Sequence, residues 1–466
     1  MKKIILLLFP ITTLFAQLPS GCWQSISAGG DKTMAIGNNG KIWGWGDNGS
    51  GALGLGSVSG NQLNPIQSAA MGTFTQVASG GNSFTIALKS DGTLWATGLN
   101  LYGFLGIGNY TNQSSFVQIG VANNWKTISA GGAHVLALKT DGTLWAWGLN
   151  GDGQLGNGST VTSNIPVQIG SDTNWKSAAA GGYYFSMAIK TDGSLWVWGN
   201  DSYNQMGNGT VTQPYTVPTQ LGVATDWDKI AAGQYHALAI KNNGTLWGWG
   251  DNSAGGIGIG NTTPVSNPIQ IGIDGNWQKI SASSFASYAI KNNGTLWAWG
   301  YNSNGQLGDG TTVQKTIPSQ IGLDTDWQIV SGSMGYYYAN ALKNDGSLWS
   351  WGINNFGVLG DGTSTEKRLP TAITCPSALS VDQFKDHSFA VYPNPVNDVL
   401  YINNANTISE IKNITIYDLT GKCITNFNIF DKNKIELNMP STVTSGMYVL
   451  KIITTSGATT LKFIKK

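Results

Sequence analysis

The sequence predicts an all-β fold: a seven-bladed β-propeller closed by a C-terminal strand and followed by a small β-sandwich. Three observations lead there. First, 63 Gly and 19 Trp in 466 residues, with only 11% charged residues, mean many short strands, many tight turns and an aromatic interior. Second, a tryptophan pattern recurs seven times along the chain. Third, each copy carries an Asn-Gly or Asp-Gly pair between two apolar runs of strand length. With 41% hydrophobic residues the chain is long enough to bury a sizeable core.

The chain opens with Met1-Lys2-Lys3, runs through an apolar stretch from Ile4 to Phe15 and reaches a small residue at Ala16. That layout is a signal peptide over residues 1–16, with cleavage expected before Gln17. A membrane anchor is the competing reading, but the stretch falls short of the roughly 20 apolar residues that span a bilayer. No integral membrane segment is expected in the mature chain.

Residues 17–375 form the repeat region. The first tryptophans of the seven copies are Trp43, Trp95, Trp145, Trp196, Trp247, Trp297 and Trp349, separated by 52, 50, 51, 51, 50 and 52 residues. Such a period points to a propeller or an array. Within a copy the order is constant: Trp125-Lys126-Thr127-Ile128-Ser129-Ala130-Gly131-Gly132, then Leu136-Ala137-Leu138-Lys139, Asp141-Gly142, and Thr143-Leu144-Trp145-Ala146-Trp147-Gly148. A two-residue hairpin of type I′ needs positive φ at both positions, which Asn/Asp-Gly tolerates, so seven hairpins are predicted. A Gly-rich loop such as Asn150–Gly156 and an extended segment such as Pro218-Thr219-Gln220-Leu221 complete four strands per repeat. Four strands repeated about an axis make a propeller, and a linear solenoid is the alternative.

The ends of this region favour a ring. The first copy begins at Trp23 with no extended segment before it, and the last is followed by a spare one, Leu369-Pro370-Thr371-Ala372-Ile373. Pairing that strand into the first blade would close the ring. It would also bring Cys22 and Cys375 into one inter-strand loop, so a Cys22–Cys375 disulfide is expected, with Cys423 left over. Sealing so long a loop stabilises by about 5 kcal/mol in the chain-entropy model.

The pattern from Ala130 to Gly156, Ala-Gly-Gly-x-His-x-Leu-Ala-Leu-Lys-x-Asp-Gly-Thr-Leu-Trp-Ala-Trp-Gly-x-Asn-x-x-Gly-Gln-Leu-Gly, closely resembles the regulator-of-chromosome-condensation repeat. The resemblance covers residues 23–373 in seven copies and implies a seven-bladed propeller. After a linker over 376–388, residues 389–466 resemble the C-terminal sorting domain of the type IX secretion system. Tyr392-Pro393-Asn394-Pro395, Ile416–Lys422, Ser445-Gly446-Met447-Tyr448-Val449-Leu450-Lys451 and the terminal Lys462–Lys466 carry it. It implies export through the periplasm and outer membrane, contact with the secretion machinery, and release or surface attachment. Without the family, alternating runs at Val399–Ile402, Ile414–Tyr417, Lys434–Leu437, Tyr448–Ile453 and Thr460–Ile464 read as a small β-sandwich.

Charge and chemistry narrow the function. Lys and Arg total 26 against 25 Asp and Glu, so no long-range field draws in nucleic acid or anionic lipid. All 19 tryptophans occupy repeat positions and read as core. His134 and His236 share a slot that holds Phe84, Phe185 or Tyr338 in other copies, which does not suit a catalytic base. No Ser-His-Asp trio or metal-ligand spacing appears; neither enzyme activity, a metal nor a cofactor is expected. Gly308-Asp309-Gly310 and Gly360-Asp361-Gly362 lack the spacing of a calcium loop and read as turns.

The copies differ most in the loop after Ala-Gly-Gly, where Tyr183, Tyr184, Tyr235, Phe285, Tyr336 and Tyr337 stand. Tyrosine-rich loops on a rigid scaffold suit a binding surface, because Tyr gives contact area at low entropic cost; packing between blades is the bland alternative. The reading is a monomeric, secreted or surface-attached protein that engages an extracellular protein or glycan. Two functions implied by the resemblance rank below it: inhibition of an extracellular enzyme, and guanine-nucleotide exchange, whose GTPase partner an exported protein does not meet.

Overall fold

The computed structural model describes residues 21–210, 214–376, 389–404, 411–418, 422–428, 434–440, 443–454 and 458–466. The expected leader, its cleavage point and residues 377–388 of the expected linker lie outside the described residues. Two compact units emerge, one ending at Ser380 and the other beginning at Val381. Among the described residues no helix is long and apolar enough to cross a membrane.

The first unit is a propeller of seven four-stranded antiparallel blades. Blade 3 is representative, with strands Trp125–Ala130, His134–Lys139, Leu144–Gly148 and Ser163–Gln168 hydrogen-bonded in that order. The first strands of neighbouring blades pack side by side around the axis, and the fourth strands form the rim. The seven hairpins form, but not as the expected type I′ pair: only the glycine takes positive φ, as Gly142 does at +78°, while Asp141 does not. Gly142 N–H donates to the Lys139 carbonyl at 3.1 Å, so the turn centres on Thr140 and Asp141 and the left-handed glycine follows it, as in a longer hairpin loop.

In each Gly-rich loop one polar side chain organises the turn. Asn150 Oδ1 accepts the Leu155 N–H at 2.9 Å, while its Nδ2 donates to the Ser159 and Val161 carbonyls, both at 3.0 Å. The repeat also builds a clamp at the other end of the blade. Lys190 lies between the rings of Trp175 and Trp196, 4.8 and 3.8 Å from their centroids, and bonds to Asp172 at 2.8 Å. Equivalent lysines between aromatic rings occur in blades 2 to 7, and Gly37 replaces the lysine in blade 1.

Closure differs from the expectation. The C-terminal strand Lys367–Ile373 pairs with Leu348–Gly352 in blade 7, and the first blade is completed by its own fourth strand, Ser59–Gln67. The reason is local: each extended segment belongs to the Trp-x-Trp-Gly strand before it, because the Gly-rich loop turns the chain straight back. Every blade is therefore four consecutive strands, and nothing is missing or spare. Blades 1 and 7 meet as other neighbours do, with Trp23 N–H donating to the Gly346 carbonyl at 3.2 Å and Ala28 N–H to Ser331 Oγ at 3.0 Å.

Cys22 and Cys375 are bonded, with Cα atoms 6.0 Å apart. They precede the first strand of blade 1 and follow the last strand of blade 7, so the bond joins two blades instead of lying in one loop. It stands where a short chain connection links every other neighbouring pair.

The second unit is a β-sandwich. Phe389–Tyr392, Val399–Asn404 and Lys434–Asn438 make one sheet; Cys423–Asn428, Ile411–Tyr417, Gly446–Thr454 and Ala458–Lys465 make the other. Leu400, Ile402 and Leu437 of the first sheet pack on Ile414, Ile416, Leu450 and Phe463 of the second. All five runs expected from alternation fall within observed strands; Phe389–Tyr392 and Cys423–Asn428 are additional.

Candidate interaction face

Strand direction decides which loops share a face. The first strand of a blade runs to the Ala-Gly-Gly loop, the second returns to the hairpin, and the third runs back to the Gly-rich loop. The two variable loops of all seven blades therefore open on one face, and the hairpins and inter-blade connections on the other.

On the loop face the glycine loops hydrogen-bond from blade to blade. Gly81 N–H donates to the Gly131 carbonyl at 3.1 Å, Gly132 to Gly181 at 3.2 Å, Gly182 to Gly233 at 2.9 Å and Gln234 to Ser283 at 3.2 Å. Gly335 N–H continues to Ser284 Oγ at 2.8 Å, and Ser333 Oγ donates to the Gly29 carbonyl. Side chains carried by this belt are held by bonded backbone.

On that belt the aromatic side chains of blades 4 to 7 form an arc. Tyr183 and Tyr184 have centroids 5.7 Å apart, Tyr184 stacks on Tyr235 at 6.1 Å, and Tyr235 meets Phe285 at 5.6 Å. Phe285 contacts Tyr301 at 6.4 Å, and Tyr301 contacts Tyr337 at 5.2 Å. Of the six residues singled out from the sequence, five join this arc. Tyr336 pairs instead with Phe356 at 5.3 Å. All six are half-buried.

Tyr203, Tyr301 and Phe356 are the residues that sequence reasoning passed over. Tyr203 lies 4.4 Å from Tyr235 and is 45% exposed. They stand in the Gly-rich loops, read as turns alone; the available signal was an aromatic residue at a variable loop position, Tyr203 and Phe356 where other copies carry Ser50, Asp152, Ala254 or Asn304, and Tyr301 where others carry Asp47, Leu99 or Asn200. Burial pushes the phenols of Tyr183, Tyr235, Tyr336 and Tyr337 above their ordinary pKa, so these rings remain uncharged through neutral pH.

The other blades contribute polar groups. Tyr183 Oη donates to Asn82 Oδ1 at 3.0 Å, and Ser83 Oγ donates to the Asp31 carboxylate at 2.5 Å. Lys32 occupies the slot of His134 in blade 1, fully buried, with Nζ donating to the Gly80 carbonyl at 3.1 Å. Burial brings its pKa down to about 8, against the pull of Asp31 and Asp47.

The two buried histidines are structural. Ser186 Oγ donates its single proton to the Gln154 carbonyl at 2.8 Å, so the 2.8 Å contact to His134 has Nε2–H as donor. Ser287 does the same between the Gly256 carbonyl and His236. A serine already donating to a carbonyl, beside a histidine that donates to it, is not an activated nucleophile. Burial lowers the two pKa values to about 3 and about 4, which keeps both rings neutral. The two candidate calcium turns are also internally committed: Asp309 Oδ1 accepts from Thr311 N and Oγ1 at 2.9 and 2.8 Å, and Asp361 repeats this with Thr363.

In the second unit the sorting-motif residues come together across the sequence. Tyr392 stacks on Tyr401 at 5.6 Å, and Asn394 Oδ1 accepts the Ile464 N–H at 2.9 Å, joining the Tyr-Pro-Asn-Pro run to the terminal strand. Tyr448, two residues after Gly446, stacks on Phe463 at 5.8 Å and donates to the Thr444 carbonyl at 3.0 Å.

The family model for the RCC1-like domain matches residues 10–339, well over half of the chain. The protein belongs to the RCC1-like domain family. The repeat model of the regulator of chromosome condensation also matches residues 345–391, and the secretion system C-terminal sorting domain matches residues 390–466. Among solved structures, human WBSCR16 is similar at TM-score 0.64 and 22% identity, covering 72% of this chain and 94% of that one. Yeast RCC1 (Prp20) from a complex with Kap60 is similar at TM-score 0.60 and 23% identity, covering 67% and 78%. At those identities the likeness shows a shared fold.

Among curated relatives, the ultraviolet-B receptor UVR8 of Arabidopsis thaliana is 28% identical over 240 residues, 51% of this chain and 43% of that protein. The human E3 ubiquitin-protein ligase HERC2 is 28% identical over 248 residues, also 51% of this chain but 5% of the ligase. The match thus spans less than half of either relative. An RCC1-like propeller carrying a secretion-system sorting domain is a secreted or surface interaction protein.

Proposed function

We propose that this RCC1-like protein captures an extracellular protein through the aromatic arc of blades 4 to 7. The continuous row of rings from Tyr183 to Tyr337 carries the reading. Half-exposed tyrosines already supported by neighbours lose little side-chain entropy on binding, and Tyr is enriched among residues that dominate interface energetics. The surrounding belt keeps them in place before a partner arrives, which reduces the ordering cost of association. The sorting domain supports a partner met at or beyond the cell surface.

The test compares the full mature chain with Tyr184→Ala/Tyr235→Ala and Tyr336→Ala/Tyr337→Ala variants in capture from surface and culture fractions, followed by binding to the purified partner. Loss of two central rings is expected to weaken binding about 30-fold, the equivalent of a 2 kcal/mol hot spot, with unchanged melting temperature. Equal binding by all three proteins overturns the proposal. Binding to purified glycans, with no protein captured, would place the ligand in a different class.

A further inference from the structure

The axis offers a second site, independent of the aromatic face. The first strands line the channel, and beyond their opening tryptophans they carry Lys176 and Ser177 in blade 4, Asp228 and Lys229 in blade 5, and Gln278 and Lys279 in blade 6. A cavity of about 270 Å³ lies among these strands, with Ser177, Asp228, Lys229 and Lys279 in its polar wall and Ile230 and Ile280 beside them. These positions belong to the hairpin-face end of the channel. At the loop face, loops from blades 2, 4 and 7 draw together near the axis: Asn82 bonds to Tyr183, and Gly81 lies against the Met334 carbonyl.

Asp228 bridges Lys176 at 2.8 Å and Lys229 at 2.6 Å. Three ammonium groups against one carboxylate leave an excess of two positive charges, although the whole chain has a formal charge of only +1. The carboxylates nearest in the repeat do not offset it, because each is bonded to a clamp lysine: Asp172 to Lys190 at 2.8 Å, Asp226 to Lys241 at 3.1 Å, Asp274 to Lys291 at 2.7 Å and Asp324 to Lys343 at 2.7 Å. Ser177 Oγ is buried with no hydrogen-bond partner, an unused donor at the same wall. Like charges in a walled cleft focus the field and raise the local concentration of counter-ions.

We propose that this part of the channel binds one doubly charged oxyanion, a sulfate or phosphate group, through Lys176, Lys229 and Lys279, with Ser177 Oγ as a hydroxyl donor. The group is a free ion or an ester on a larger extracellular molecule. Ammonium groups act as flexible point charges, which suits a tetrahedral oxyanion. The site is too small to follow a polyanion backbone, in keeping with the neutral overall charge.

The test titrates the full mature chain calorimetrically with sodium sulfate, sodium phosphate and a sulfated oligosaccharide, all at one fixed ionic strength. One site per chain is expected, weakened at least tenfold in Lys229→Gln/Lys279→Gln and unchanged in Lys41→Gln, a lysine on blade 1. Tighter binding of the oligosaccharide identifies an ester as the natural ligand; equal binding identifies the free ion. No saturable binding of any of the three, or the same weakening in Lys41→Gln, overturns the proposal. Near-ultraviolet circular dichroism verifies the fold of each variant. Because the aromatic arc is untouched, partner capture and anion binding fail or succeed separately.

Discussion

Asn48, Asn100, Asn150, Asp201, Asn252, Asn302 and Asn354 hold one position in the seven Gly-rich loops. An amide suits it, since the loop asks the side chain to accept one backbone N–H and to donate to carbonyls farther along. Asp201 keeps the accepting half, with the Met206 N–H at 3.0 Å, but a carboxylate cannot donate. Burial pushes its pKa up from 3.8 to about 6. A folded-state pKa above the unfolded one means that stability is fully present below about pH 3.8 and is lost as pH rises through about 6. Asp201→Asn removes the carboxylate's charge and is therefore expected to raise the unfolding free energy by about 1 kcal/mol at pH 7.5, the cost of keeping a carboxylate ionised away from water, reduced by solvent screening. At pH 4, where the acid is protonated and carries no charge, the gain should vanish. Urea unfolding at the two pH values decides it, and an equal gain at both would count against the account.

Blade 2 departs from the others as an element. Its third strand has Thr97 where the other six blades have a second tryptophan, and its fourth strand has Phe116 where the others have proline. The two changes compensate. In other interfaces a loop glycine lies against the next blade's indole, as Gly106 does against Trp147 and Gly156 against Trp198; at the same point Gly54 lies against the Phe116 ring. Phe116 thus supplies the volume that Thr97 lacks. Thr97→Trp alone is expected to overpack and cost about 1–3 kcal/mol, and Phe116→Pro alone to leave a cavity costing about 3 kcal/mol. The double variant should be less destabilised than the sum by about 2 kcal/mol, a coupling of the size seen between contacting residues. Strictly additive costs would show that the two sites are unrelated.

At the scale of the whole molecule the disulfide is the seventh inter-blade connection. Six neighbouring pairs are joined by chain; blades 1 and 7 are joined by Cys22–Cys375, across 353 residues. Replacing both cysteines by serine is expected to lower the unfolding free energy by up to about 5 kcal/mol. The loss should begin at one place. The Ala28 amide, which donates to Ser331 across the closure, should exchange hydrogen faster, while the Ala180 amide, which donates to Ser129 between blades 3 and 4, should change less. Uniform acceleration of both amides would mean that the bond acts only on the unfolded chain.

Much of this was legible without coordinates, and the limits follow from physics. Strands, hairpins and blade number depend on contacts within about 50 residues, and those contacts leave a period: Trp145 with Trp147, Asp141 with Gly142, Asn150 with Leu155. The cysteine pair was legible because Cys22 and Cys375 stand immediately outside the two ends of the repeat region, which any closed ring brings together. The partner of the last strand was not, because a fourth strand fits the edge of its own blade or another by the same hydrogen-bond pattern, and the Gly-rich loop's tight reversal decides between them.

What the amino-acid order determined by itself is the repeated blade, its turn chemistry and the likeness of both ends of the chain to known families. Tertiary structure alone decided the rest. Tyr203 and Tyr235 lie in different blades and different classes of loop, yet strand direction puts both on one face, 4.4 Å apart. Lys176, Asp228 and Lys279 meet only because three first strands converge on an axis. Local pattern specifies elements, whereas a site built from many copies exists only where the ring's geometry brings their unlike residues together.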